Sequence, residues 1–142
     1  MSKKILLGKF EVNSSLFPHG FPCRGEIYLV DFNRKREKEI FKIRPAMVIS
    51  GNLQNEYDKQ MLMAPISAEE ELTAEEIKLF SVLAIPISPT PETGLKRKSW
   101  ILLHRIRAVQ KSKPRILEYL GRVSPQLISQ VKSTLKKVLE YE

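Results

Sequence analysis

From Arg24 to Ser50 the chain reads RGEIYLVDFNRKREKEIFKIRPAMVIS, and this stretch narrows the possible folds more than any other. Tyr28, Val30 and Phe32 recur at every second residue, with Ile27, Leu29 and Asp31 on the mixed face, the period of a strand. Ala46 to Ile49 is continuously apolar, as expected of a strand covered on both sides. Between them, Asn33 to Ile43 carries Arg34, Lys35, Arg36, Lys38 and Lys42 against only Glu37 and Glu39. Two apolar strands therefore hold up a basic loop. Arg44 stands where that loop re-enters the sheet, and Pro45 behind it restricts its backbone to extended conformations. If the chain has an active site, Arg44 is expected in it.

The remaining pattern is mostly β. Gln60 to Ile66 predicts a third strand, with Pro65 at a sheet edge or a strand end, and Ser67 follows it. Gly51 to Asn55 is turn-rich and predicts a loop. Glu69 to Glu76 is an acidic insert in which Thr73 and Glu76 have capping-box spacing, so a short helix with Ile77 and Phe80 on one face is expected. The run is read as a solvated helix start in preference to a metal site. Val82 to Ile87 predicts a fourth strand and Trp100 to Val109 a fifth. On that fifth strand Arg105 and Arg107 share a face, able to address successive phosphates, whereas His104 shares the other with Trp100 and Leu102 and reads as a packed residue. Tyr119 to Val123 adds a last short strand. Ser124-Pro125 opens a C-terminal helix whose Leu127, Ile128, Val131, Leu135 and Val138 recur at helical spacing. The expected fold class is mainly β (α+β): a compact, barrel-like antiparallel sheet of five or six strands, with an inserted short helix and a C-terminal helix.

At 142 residues the chain suits one domain, 23–142, preceded by an irregular arm, 1–22, that ends in two prolines and a glycine. A net charge of +8 favours an anionic partner such as nucleic acid. The single cysteine, Cys23, excludes an internal disulfide and a cysteine-built zinc cage. Neither a secretory segment nor a membrane span is legible, so a cytoplasmic protein with no membrane partner is expected.

Arg24–Phe32, the loop closing on Glu39 and Lys42-Ile43-Arg44-Pro45-Ala46-Met47-Val48-Ile49, and Pro89–Leu95 leading to Ser99 and Arg107 together resemble the MazF/PemK toxin family. The resemblance spans roughly Arg24 to Leu139. It implies a homodimeric endoribonuclease, needing neither metal nor cofactor, that cuts single-stranded RNA at short sequences and is restrained by an antitoxin protein. It places catalysis on Arg44, with Ser67 where the family carries a threonine; Glu39, at the mouth of the loop, is read from its position as a partner holding Arg44 in preference to a general base. Arg24, Lys42, Ser99, Arg105 and Arg107 are assigned to RNA binding. The chain departs from the family at Ser67, in the charged loop before Arg44, at Lys98 where an aspartate is common, and in the acidic insert and the arm. The competing reading is a non-catalytic member of the same fold that binds RNA, or a protein target such as gyrase, in the manner of CcdB.

Overall fold

The computed structural model describes residues 16–32 and 43–140. The alternating segment forms strand β1 (Glu26–Asp31), and Arg44-Pro45 lies inside β2 (Ile43–Val48), which starts earlier than the apolar run alone suggests. Then follow helix α1 (Asn52–Tyr57), β3 (Gln60–Ala68), a 3-10 turn at Glu69–Glu71, and α2 (Ala74–Leu83). The chain continues through β4 (Ile85–Ile87), β5 (Ser99–Ile101), β6 (Arg107–Gln110), β7 (Ile116–Arg122) and α3 (Pro125–Leu139). All seven strands belong to one antiparallel sheet, ordered β4-β5-β3-β2-β1-β7 with β6 also beside β3. The sheet leaves β4 and β7 as edges, so it does not close into a barrel.

Seven strands replace the expected five or six chiefly because the fifth is broken. Met63 of β3 pairs with Arg107 of β6, Ile66 pairs with Ile101 of β5, and a 3-10 turn at Leu103–Arg105 intervenes. Pro65 explains the break. Its carbonyl accepts from the Leu102 N–H at 2.8 Å, but proline has no N–H to return, so the ladder lapses opposite it. The strict alternation expected from Trp100 to Val109 fails for this reason. The fourth strand is likewise shorter than expected, because α2 runs on to Leu83.

Each face of the sheet has its own core. On one, Val131 of α3, with Leu127, Ile128 and Leu135, packs on Ile27, Met47 and Ile66. On the other, Tyr28, Val30, Phe32, Ala46, Val48 and Met63 are buried together with Phe17, whose ring meets Tyr28 edge-on at 5.5 Å. Phe17 thus anchors the segment before β1 to this core. A third cluster, Phe80, Ala84, Trp100 and Leu102, docks α2 on the sheet. The capping box forms as expected: Thr73 accepts from the Glu76 N–H and Glu76 from the Thr73 N–H. Ser124 likewise caps α3 through the Leu127 N–H at 3.2 Å.

Candidate active site

Arg44 and Ser67 sit on adjacent, antiparallel strands, β2 and β3, and their side chains meet. Arg44 donates from a guanidinium nitrogen to Ser67 Oγ at 2.6 Å. Ser67 is not past the end of the third strand, as expected, but within it, opposite Trp100 of β5 and only 6% exposed. Arginine carries donors only, so in this pair the hydroxyl oxygen must accept. The Ser67 proton is thereby directed away from Arg44, and no acceptor for it is found among the described residues. The pair therefore presents one fixed cation and one oriented neutral donor.

Further cations surround Arg44. Desolvation pulls its pKa below the usual guanidinium value; Glu71 opposes the shift, while Arg105 and Arg107 add to it. Arg107 follows the broken ladder and holds its guanidinium 5.3 Å from the centre of the Phe32 ring. Arg105, in the 3-10 turn, stacks 5.4 Å over Phe80 of α2. Aromatic faces hold both in place by cation–π attraction.

A cleft of about 480 Å³ is lined by Arg44, Glu71, Arg97, Ser99 and Tyr119 over an apolar floor that includes Leu29 and Pro45, whereas Ser67, Arg105 and Arg107 do not line it. Ser99 is buried and donates to the Arg97 carbonyl at 2.9 Å, so it shapes the wall and keeps its hydroxyl engaged. Arg24 lies elsewhere. It is exposed at the other end of β2, with Nε donating to the Ile49 carbonyl at 3.1 Å, and the fold does not bring it to Arg44. Glu39 and Lys42 lie outside the described residues.

Neither histidine joins the cluster. His19 is 3.8 Å from Glu26, on the arm. His104 packs its ring 4.9 Å from Phe80. Both His104 nitrogens are buried with no hydrogen-bond partner among the described residues. Burial, then the Arg105 charge, pushes its pKa down, so it is a neutral packing group. Cys23 is half-buried, and burial followed by the Glu26 charge pushes its thiol up, away from reactivity. Among the described residues no group of three or more His, Cys, Asp or Glu converges as a metal site. The acidic run is a docked turn. Glu71, which the sequence pattern places in a solvated helix start, lines the cleft with Arg44.

Comparison with known proteins identifies the scaffold. The profile of the PemK-like, MazF-like toxins of type II toxin–antitoxin systems matches residues 23–139. The chain belongs to this family. Among solved structures, Mycobacterium tuberculosis toxin MazF-mt6 aligns with a TM-score of 0.63 at 10% identity, covering 82% of this chain and 98% of its own. Deinococcus radiodurans MazF aligns with a TM-score of 0.62 at 18% identity, covering 85% and 98%. A mycobacterial endoribonuclease in complex with its cognate antitoxin gives 0.61 at 16% identity, covering 85% and 95%. The PemK/MazF fold of this chain is thus shared with proteins of very different sequence. Among the described residues, no helix is long and apolar enough to cross a membrane.

Proposed function

We propose that this PemK/MazF-family protein is a metal-independent endoribonuclease toxin that cuts single-stranded RNA at short sequences by attack of the RNA's own 2′-hydroxyl. The observation that carries the proposal is the Arg44–Ser67 pair, 2.6 Å apart, with the charges of Arg105 and Arg107 acting on Arg44. An internal nucleophile already stands next to the phosphorus, so the protein's main task is to stabilise the charge that builds on the phosphoryl oxygens. Arg44 offers a planar, charged fork matched to those oxygens, and the Ser67 proton is available to a second one. Arg105 and Arg107 hold the flanking backbone. The 2′-oxygen bonds to phosphorus, the 5′-oxygen leaves, and the products are a 2′,3′-cyclic phosphate and a 5′-hydroxyl. DNA lacks the nucleophile and is spared. An antitoxin as restraining partner is supported by the family and by the antitoxin complex of the mycobacterial relative.

The test is incubation of the purified protein with a long single-stranded RNA in EDTA, beside DNA of the same sequence. The proposal predicts discrete RNA fragments with 5′-hydroxyl and cyclic-phosphate ends, and intact DNA. RNA that is retarded on a gel but uncut would favour a binding module; RNA cut only when a divalent metal is restored would refute the metal-free mechanism.

A further inference from the structure

Attack by a 2′-hydroxyl requires that its proton be taken, and neither Arg44 nor Ser67 is suited to take it. An arginine holds its proton through the neutral range, and the Ser67 oxygen already accepts from Arg44. Neither histidine lines the cleft, and both His104 nitrogens are buried. The remaining choice is a carboxylate, and the acidic insert supplies one.

The 3-10 turn Glu69–Glu71 follows directly on β3, whose penultimate residue is Ser67. Two of its three carboxylates fasten it. Glu69 accepts from Trp100 Nε1 at 2.9 Å and lies 3.8 Å from Lys98 Nζ, and Glu70 pairs with Arg97. The backbone adds a bond from the Glu69 N–H to the Lys98 carbonyl at 2.9 Å. Glu71 alone of the three makes no hydrogen bond or ion pair among the described residues, yet it lines the same cleft as Arg44 and its charge is felt there. A turn braced by its first two residues therefore presents the third to the cleft that Arg44 lines. An exposed carboxylate beside a phosphate-binding arginine opposes substrate binding by simple charge, so its placement calls for a chemical reason.

We infer that Glu71 is the general base of the cleavage reaction, a role that rests on the ribonuclease function proposed above. The Glu71 carboxylate takes the 2′-hydroxyl proton as the 2′-oxygen bonds to phosphorus. The phosphorus–5′-oxygen bond breaks, and the departing oxygen takes a proton from solvent water. Arg44 and Ser67 carry the phosphoryl charge meanwhile. Glu71 afterwards returns its proton to solvent. The other ionisable groups lining the cleft are Arg44 from β2, Lys96 and Arg97 from the segment before β5, and Glu118 and Tyr119 from β7.

The deciding experiment is the pH dependence of kcat/KM for the full chain on a short RNA containing one cleavage site, comparing wild type with Glu71→Gln, Glu71→Asp, Glu75→Gln and Glu39→Gln. Glu75 is an exposed glutamate of the same insert, so its variant controls for the change in charge. A carboxylate base leaves an acidic limb on this profile. Glu71→Gln should lose that limb and about 100-fold or more of kcat, the scale of one general base, with the melting temperature and KM little changed. Glu71→Asp should keep the limb at an intermediate rate, and Glu75→Gln should match wild type. An acidic limb that persists in Glu71→Gln, or that disappears in Glu39→Gln instead, would overturn the assignment. So would a faster Glu71→Gln enzyme, which would mark the carboxylate as a competitor of the phosphate, or a parallel fall in rate and melting temperature, which would mark it as structural. A wild-type protein that cuts no RNA removes the ribonuclease function itself, and the base with it, before any variant is compared.

Discussion

Replacing Ser67 by alanine removes one oxygen and two functions at once. The first is the brace on Arg44, a charge-assisted contact of 2.6 Å to a half-buried guanidinium. Hydrogen bonds to charged groups contribute roughly 1.5–3 kcal/mol, and partial exposure of Arg44 reduces this to about 1 kcal/mol. For a chain of this size that is a fall of about 3 °C in melting temperature. The second function is the donor aimed at the phosphoryl oxygen. Loss of one preorganised donor costs about 100-fold to 1,000-fold in kcat, and a neutral hydroxyl belongs at the lower end, about 2.7 kcal/mol. The catalytic loss therefore exceeds the loss of stability, and it should fall on kcat with KM nearly unchanged. Ser67→Thr keeps the oxygen and adds a methyl that stiffens the rotamer, so its kcat should equal or exceed that of wild type. Single-turnover cleavage and thermal unfolding on the same preparations separate the two quantities. A Ser67→Ala enzyme within twofold of wild type in kcat would refute the donor role, whatever its stability.

Three further outcomes follow from the geometry. Arg107→Ala should raise KM with little change in kcat and lower the salt slope of RNA binding by about 0.7, the share of one phosphate contact on a single strand; an unchanged slope would show that Arg107 makes no phosphate contact. His104 has a depressed pKa in the folded chain, so the unfolded chain binds the proton first; stability should fall as the pH drops below about 6.5, and His104→Phe should flatten that slope in denaturant titrations across pH. Gly94 has φ +70 and leaves only 2.0 Å between an added Cβ and the Leu120 carbonyl oxygen, so Gly94→Ala should lower the unfolding midpoint by the equivalent of about 2 kcal/mol or more, and an unchanged midpoint would contradict the close approach.

The parts legible in the sequence are those fixed by local patterns. The alternation of Tyr28, Val30 and Phe32 became β1, Thr73 and Ser124 capped the two longer helices, and Arg44-Pro45 marked the loop's return to the sheet. What was not legible depends on contacts between distant segments. Helix α1 was read as a loop because Gly51, Asn52 and Asn55 favour turns. In the fold Asn55 is fully buried, its amide donating to the Ser50 carbonyl at 2.9 Å while its own carbonyl accepts from the buried Lys111. Pro65 carried a legible signal for a strand end, but its effect fell on the partner strand, breaking the Trp100–Val109 segment and moving Arg105 off the strand. The site was half legible. Arg44 and Ser67 were singled out, but their meeting across two strands was not visible, and the run that holds Glu71 looked like an ordinary solvated helix start.

The central claim is that Arg44 carries the charge of the transition state. It is tested most directly by single-turnover cleavage of one RNA, in EDTA, by wild type and Arg44→Ala, with folding of both checked by circular dichroism. A fixed cation meeting that charge is of the kind whose removal costs about 1,000-fold in kcat, so Arg44→Ala should be slower by that order while remaining folded. A folded Arg44→Ala protein that cuts the same bonds at the wild-type rate would contradict the account.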